Sequence, residues 1–442
     1  MPLTNIKPML KKHGIPVRGI INQYKKSHLM NSACIEFEHT EKDAAQIEFT
    51  GARWRCSYHE DVVPNREDAV EVSVCFKVVK GSAGECGVGV RFIFDDWSRD
   101  NYVIMPGAVY SGNRFESRRL FYPPLLSDPA DIGPDIQTIV TDIPRLNIHN
   151  GPSRIQLLTK DLTTPAIGFW SPSTELGFWL LTEQRTSLGE SGIEINENGT
   201  RTQAAISLTA PGVREDFRYT ICNMRYPSED KGTDFKEGQE VRLRFRVYRF
   251  ECRSIQGLFD RFIEIRKDLS GPVRLYHQLP FSSAWTIQEN KYNSENWEED
   301  YGFYTVGIGE RPHTKWQAGW VGGGMVTYPL LFEGTPQSRA RALKNLDFLF
   351  LRSQAPSGFF YGIGDGKRWY GDGYFKPHGD KWHLIRRSSD VLYFIIKQFM
   401  LLEKQDSTFK VPSLWRQGTL CLADAFVRLW EKHGQFGQFI NI

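Results

Sequence analysis

The sequence lacks several patterns that would assign a function directly. It has no run of about eighteen apolar residues that could span a bilayer. Its net charge of +3 gives no reason to expect a nucleic acid or a membrane surface as a partner. No GxxxxGKS or GxxxxGKT phosphate-binding loop is present, and the glycines of residues 362–366 follow no βαβ unit. We therefore expect no nucleotide and no other cofactor.

The cysteines are also uninformative as a metal or disulfide framework. There are seven, they are scattered, and none forms a CxxC pair. The first residues, MPLTNIKPMLKKHGIP, lack the apolar core of a signal peptide. Asp365, Asp372 and Asp380 do not match the ligand spacing of a calcium loop. These features favour a cytoplasmic protein with reduced thiols and no metal site.

The chain from Cys34 to Phe250 carries an almost entirely β pattern. Residues 1–30 form a basic lead-in, and residues 31–252 are predicted to form an antiparallel β-sandwich. Alternation of apolar and polar residues is clearest at residues 70–79 and 241–248. Further strands are predicted at residues 87–94, 102–105, 137–140, 154–158, 166–170, 176–181, 203–208 and 218–222.

One irregular segment, Arg114 to Asn147, interrupts the predicted strands. It is rich in prolines and arginines and contains Tyr122. Two interpretations remain open: the segment reaches a neighbouring domain's cleft, or it is a surface loop with packed prolines.

The pattern becomes helical after residue 252. Residues 253–272 predict a linker helix capped by Ser254, and residues 273–442 predict a helical domain. Helices are expected after the Thr335-Pro336 cap, after Ser388 and Ser389, and from Ser413 to His433. Residues 316–325, WQAGWVGGGM, are also predicted to be helical, with glycines that let another backbone approach closely.

The segment from Pro356 to Arg387 is the strongest candidate for a ligand-facing loop. It holds seven glycines, eight aromatic residues and three aspartates, and eight basic side chains counting histidines. Such dense glycine disfavours regular structure, and disordered segments are poor in aromatics. An ordered loop of this length is usually functional, although a purely structural connection is the alternative.

The order of these regions resembles the six-hairpin glycosidase superfamily. The pieces that carry the resemblance are Trp316–Gly324 with Tyr328–Leu331, Phe359–Trp382, and His433–Phe439. The resemblance implies a mutarotase-like β-supersandwich followed by an (α/α)6 toroid, in a bacterial enzyme similar to β-glucuronidase-like, uronate-processing members. The sequence after Pro272 is too short for twelve helices, so the toroid is expected to be incomplete and to expose helix faces that favour homo-oligomers.

A glycoside hydrolase needs two carboxylates that face one bond. Asp372 and Asp365 are the predicted catalytic residues, and an oligosaccharide containing uronate or of plant type is the predicted substrate. The predicted substrate-binding residues, which supply aromatic faces and positive charge, are Trp369, Tyr370, His378, Lys381, Trp382, Arg386, Trp316 and Trp320. The alternative is that this basic loop pairs with its own aspartates.

Two other functions stay open. A polysaccharide lyase on the same fold would depend on proton transfer by Tyr370, Tyr374, His378 or His383. A non-catalytic carbohydrate-binding remnant would bind sugar without turnover, and Asp372→Asn would leave its function unchanged.

Overall fold

A computed structural model describes residue 10 and residues 14–37, 44–114, 118–119, 138–139, 143–220, 224–271, 278–307, 314–373 and 379–442. The chain divides into two compact units, unit 1 from Met1 to Arg274 and unit 2 from Leu275 to Ile442. Unit 1 is mostly β-sheet, whereas unit 2 is mostly helical.

Nineteen strands, one α-helix of several turns and two short 3-10 helices (Ser111–Asn113 and Thr159–Asp161) lie in the described part of unit 1. The strands are β1 (Val17–Lys25), β2 (His28–Glu36), β3 (Ala45–Phe49), β4 (Ala52–Val62), β5 (Ala69–Phe94), β6 (Tyr102–Ile104), β7 (Arg118–Arg119), β8 (Thr138–Ile139), β9 (Ser153–Leu158), β10 (Ala166–Ser171), β11 (Leu176–Thr182), β12 (Arg185–Thr186), β13 (Gly189–Glu190), β14 (Gly192–Glu197), β15 (Ala204–Ala210), β16 (Phe217–Thr220), β17 (Met224–Pro227), β18 (Thr233–Lys236) and β19 (Glu240–Glu251). The helix is α1 (Ile255–Ile265).

The 26-residue strand β5 organises a large antiparallel sheet that curls on itself. Its first half pairs with β4 and β19, and its second half pairs with β1 and β15. Gly81, at φ +82°, lies between the halves, where a Cβ would stand 2.4 Å from the carbonyl oxygen of Gly51. The two halves therefore belong to two layers, β2-β1-β5-β15-β14-β9 and β3-β4-β5-β19-β11-β10-β6.

The core of unit 1 lies between these layers. The ring of Phe92, on the second half of β5, meets the rings of Phe178 and Phe245 at 6.2 and 5.6 Å. Val70, Val72, Val74, Phe76 and Val78 are all buried, so the predicted alternation is confirmed. The antiparallel β architecture is thus the one expected from the sequence.

Six strands of this sheet lie outside the predicted strand ranges. They are β1, β2, β3, β4, β14 and β18, and β1 falls within the residues 1–30 that were expected to form only a lead-in. Ile20 and Ile21 of β1 are fully buried, so this strand belongs to the core of the sheet. Most of the segment from Arg114 to Asn147, Tyr122 included, lies outside the described residues.

Helix α1 packs on the sheet and begins where the sequence predicts. The Ser254 hydroxyl accepts a hydrogen bond from the N–H of Gly257, which satisfies one of the free donors at the helix start. Phe262 stacks on Trp179 at a centroid distance of 4.7 Å, and Leu258 is fully buried.

Unit 2 holds five helices and seven short strands in its described part. The helices are α2 (Phe281–Lys291), α3 (Thr327–Glu333), α4 (Pro336–Phe348), α5 (Ile385–Gln405) and α6 (Ser413–His433). The strands are β20 (Trp297–Glu298), β21 (Phe303–Tyr304), β22 (Trp316–Gln317), β23 (Ile363–Gly364), β24 (Trp369–Tyr370), β25 (Trp382–Leu384) and β26 (Phe439–Asn441). These five helices are fewer than the twelve of a complete toroid. The partial toroid expected from the sequence stays a prediction.

The helix predicted over residues 316–325 is wrong. β22 occupies Trp316–Gln317, and a glycine-rich turn follows it. Gly319 adopts φ +66°, outside the helical region, and a Cβ on Gly322 would lie 2.0 Å from the Tyr304 carbonyl oxygen. The glycines thus do permit close backbone approach, but in a turn.

The predicted cap of α5 is also wrong. The helix begins at Ile385, before Ser388 and Ser389. The Ser388 hydroxyl instead accepts the N–H of Phe360, 28 residues earlier, and therefore ties the candidate loop to the helix. The Thr335 cap of α4 and the Gly434 stop of α6 are confirmed.

No helix among the described residues is both long and apolar enough to cross a membrane. The six cysteines that the structure describes, all except Cys222, are free thiols.

Candidate functional site

The predicted loop of unit 2 is ordered around a small hairpin. β23 pairs with β24, so that Gly364 lies opposite Trp369 and Ile363 opposite Tyr370. β22 adds a third strand through Trp316 and Gln317. The loop therefore contains short strands, although the sequence predicts none within it.

Asp372 is buried and held by two strong partners. Its side chain is 4% exposed, and Oδ1 lies 2.7 Å from Nε of Arg387. The N–H of Leu384 donates to Oδ2 at 2.8 Å. Arg387 in turn donates to Oε1 of Gln317 at 2.9 Å. These bonds join the hairpin to the start of α5.

Asp365 lies at the opposite end of the hairpin. Its Oδ1 accepts the N–H groups of Lys367 and Arg368 at 2.8 and 2.7 Å, the pattern of an Asx turn. By the strand register, four residue spacings separate it from Asp372, roughly 13 Å between Cα atoms. The two carboxylates bind different partners, and the structure does not bring them together.

Of the predicted substrate-binding residues, the structure brings Trp369 and Trp316 together. Trp369 stacks on Tyr361 at 5.6 Å and 4°, and its edge meets the buried Trp316 at 5.1 Å. Lys381 is exposed, as is Arg386, whose nearest carboxylate is Asp390 at 3.5 Å. Tyr370 and Trp382 are partly buried. His378 and Tyr374 lie outside the described residues.

His383, a candidate proton carrier, accepts a hydrogen bond from the backbone of the loop. Its Nδ1 accepts the N–H of Gly362 at 2.8 Å, so a neutral ring carries its proton on Nε2. Burial lowers the pKa of His383 to about 4, against the attraction of Asp372, which raises it.

Trp320 lines a groove to which none of the other predicted site residues that the structure describes contributes. It is 48% exposed and lines this mostly apolar groove of about 370 Å³ with Trp285, Tyr292, Met325 and Val326. The residues predicted from the sequence are thus divided between the hydrogen-bonded loop and this aromatic groove.

Unit 1 contains a polar cleft that the sequence did not reveal. Strand register places Arg18, Arg91, Ser207, Glu194 and Gln156 in one row across β1, β5, β15, β14 and β9. The face of β5 that carries Arg91 is opposite the face that carries the buried Phe92. A side-chain row therefore crosses the outer face of this layer.

The centre of the cleft is a pair of glutamates that share one amide. Nε2 of Gln156 donates to Oε2 of Glu194 at 2.7 Å and to Oε1 of Glu215 at 3.3 Å. Because both hydrogen bonds start from one nitrogen, those two oxygens lie within roughly 6 Å of each other. Arg154 donates to Oε1 of Glu215 at 2.8 Å.

The surroundings of the two glutamates differ. Burial raises the pKa of Glu194; Gln156, Arg154 and Arg91 lower it, and the charge of Glu215 raises it again. Glu215 has an arginine partner and a backbone contact, since its N–H donates to Oε1 of Gln156 at 2.9 Å. Burial thus favours the protonated form of Glu194.

The cleft is small and encloses about 100 Å³. Tyr24 lines it, and its hydroxyl accepts a hydrogen bond from Nδ2 of Asn22 at 3.0 Å. Burial raises the pKa of Tyr24 to about 12, so this phenol stays protonated at neutral pH. Gly192 lies on the same wall, where a Cβ would stand 2.6 Å from Oγ1 of Thr209.

A sequence signal for this cleft existed. Glu194 lies between Ile193 and Ile195, and this alternation is typical of a half-buried strand. The strand alone does not show that Gln156 and Arg91 share its row, because register depends on strand order.

No protein-family model matches the chain, and no curated protein sequence matches it significantly. Among solved structures, the chain is similar to a TPR-domain containing protein from Parabacteroides distasonis (10% identity, TM-score 0.29, 87% of this chain and 54% of that one). It is also similar to a polysaccharide lyase (9% identity, TM-score 0.31, 94% of this chain and 68% of that one). A third similar structure is a proposed aldose 1-epimerase from Escherichia coli K12 (7% identity, TM-score 0.24, 50% of this chain and 77% of that one). The chain thus spans about half the length of the first of these. TM-scores below 0.5 do not establish a shared fold.

Proposed function

We propose that the protein is a carbohydrate-processing enzyme that hydrolyses a glycosidic bond in the cleft of unit 1. One observation carries the proposal: Glu194 and Glu215 share the Gln156 amide, so their nearest oxygens lie within roughly 6 Å of each other. Retaining glycosidases hold their two carboxyl groups about 5–5.5 Å apart, whereas inverting enzymes hold them about 6.5–9.5 Å apart. The spacing favours retention of anomeric configuration.

Glu194 is the proposed acid because burial raises its pKa. It donates its proton to the glycosidic oxygen while Glu215 attacks the anomeric carbon, and the bond to the leaving alcohol breaks. Glu194, now ionised, then takes a proton from water. The resulting hydroxide displaces Glu215 from the sugar and restores both carboxyl groups.

The small volume limits the substrate. About 100 Å³ is below the roughly 300–1,000 Å³ typical of ligand pockets. The cleft therefore suits one terminal sugar unit, with the rest of an oligosaccharide outside it. Roles for Asp365, Asp372 and the aromatic residues of unit 2 in substrate contact stay predictions.

The test compares Glu194→Gln and Glu215→Gln with Asp365→Asn as a matched carboxylate-to-amide control. A panel of nitrophenyl glycosides and the corresponding disaccharides is assayed with the wild type first. We expect Glu194→Gln to lower kcat by about 10²–10⁴-fold on disaccharides and by less on nitrophenyl glycosides, since nitrophenolate leaves without a proton. Glu215→Gln should abolish both activities, and Asp365→Asn should retain them.

Three outcomes would contradict the proposal. The first is no hydrolysis by folded wild-type protein across the panel. The second is full activity in Glu215→Gln. The third is an inverted product by proton NMR, which would require a larger separation of the acid pair.

A further inference from the structure

Arg91 differs from the other arginines of the cleft in its hydrogen-bond partners. Arg154 and Arg214 each have a carboxylate partner, at 2.8 and 2.7 Å, and so does the neighbouring Arg18, bound to Glu36 at 2.6 Å. The only hydrogen bond of Arg91 among the described residues goes from Nε to Oγ of Ser207 at 3.2 Å. Its guanidinium thus lines the cleft without an ion-pair partner in the described part of the chain.

A half-buried guanidinium that contacts no carboxylate directly can gain a charged partner when a ligand supplies one. Neither terminal nitrogen of Arg91 donates a hydrogen bond to the described residues, and the two could bind two oxygens of one anionic group. Carboxylate and sulfate offer two such oxygens and a negative charge, whereas sugar hydroxyl groups are neutral.

The position of Arg91 matches the proposed chemistry. It lies two strands from Glu194 in the same row, about 10 Å between backbones at normal strand spacing. An arginine side chain and one sugar ring together fill that distance. An anionic group on the ring would then lie at Arg91 while the anomeric carbon faces the glutamate pair.

We infer that Arg91 binds an anionic substituent of the sugar, so that the enzyme acts on acidic glycosides. This inference rests on the proposed function for the placement of the sugar. Arg91 also lowers the pKa of Glu194, and a bound anion would offset that effect and help Glu194 keep its proton.

The test measures binding, so that it does not depend on turnover. Calorimetric titrations with D-glucuronate, D-glucose and inorganic sulfate are run on wild type, Arg91→Gln and Arg91→Lys. Arg18→Gln is the matched control, because it removes a neighbouring arginine that already has a partner. Circular dichroism and thermal unfolding verify that each variant is folded.

We expect wild type to bind glucuronate more tightly than glucose. Arg91→Gln should weaken glucuronate binding by about 10- to 100-fold and leave the affinity for glucose unchanged. Arg91→Lys should bind glucuronate more tightly than Arg91→Gln and less tightly than wild type. Arg18→Gln should bind like wild type. Sulfate binding that depends on Arg91, together with weak glucuronate binding, would support a sulfated sugar instead of a uronate.

Equal binding of glucuronate by wild type and Arg91→Gln would overturn the inference, as would a preference for glucose. If glucuronate binds through Arg91 and no glycoside is hydrolysed, the proposed hydrolysis fails and the binding role stands. If neutral glycosides are hydrolysed as well as acidic ones, hydrolysis stands and the role of Arg91 fails.

Discussion

The loop of unit 2 and the cleft of unit 1 both contain carboxylates and arginines, but these groups are more fully paired in the loop than in the cleft. In the loop, Asp372 has both oxygens bound, and its arginine partner is itself held by Gln317. In the cleft, Glu194 and Glu215 share a single amide, and Arg91 has no carboxylate partner among the described residues. Charges that satisfy each other stabilise a fold, whereas charges left partly satisfied beside solvent are available to a ligand.

The largest expected effect follows from removing the partner of Asp372. Arg387→Ala leaves a carboxylate that is 4% exposed without its counter-charge, which we expect to cost about 3–5 kcal/mol of unfolding free energy. Arg154→Ala breaks a pair whose arginine is 35% exposed and should cost less than about 1 kcal/mol. Urea denaturation of both variants measures the difference, and equal costs would remove the contrast between the regions.

His383 gives the loop a stability that depends on pH. Its pKa is lowered to about 4 in the folded protein, so the unfolded chain binds the proton first as pH falls from about 6.5. Stability should fall between pH 6.5 and 4, by about 3 kcal/mol in total. His383→Gln keeps an acceptor for Gly362 and should remove this loss in a pH series of urea midpoints; an unchanged slope would contradict it.

The cleft should show the opposite sign. The pKa of Glu194 is raised in the folded protein, so the folded state holds the proton more tightly than the unfolded chain. The stability of wild type relative to Glu194→Gln should be greatest below the unfolded pKa and decrease as pH rises through the folded one. The same pH series detects this trend, and a rise toward neutral pH would show that Glu194 is ionised in the fold.

The smallest effect is expected at the hairpin tip. Asp365→Ala removes the acceptor of two backbone N–H groups and should cost about 1 kcal/mol, with hydrolysis unchanged. Asp380→Ala, at an exposed position of the same loop, should stay within about 0.5 kcal/mol of wild type. Loss of hydrolysis in a folded Asp365→Ala variant would contradict the proposed site in unit 1 and favour a catalytic role for the loop of unit 2.

Local patterns predicted much of the fold. The alternation of residues 70–79 identified the buried face of β5, and Ser254 and Thr335 marked helix starts that the structure confirms. The same rules failed at Trp316–Met325, where Gly319 adopts φ +66° to meet another backbone. They also failed at Ser388, whose hydroxyl binds Phe360 rather than its own helix. Both errors come from contacts distant in the chain.

By itself the sequence determined many of the strands and helices, because those depend on residue periodicity and on capping groups only a few positions away. Tertiary structure alone decided which charges are satisfied. Asp372 lies fifteen residues before Arg387, and Glu194 lies 38 after Gln156, so only the folding of separate elements sets their distances. Pairing and register of β5, β9, β14 and β15 placed the glutamates together beside Arg91, and no local pattern encodes that arrangement.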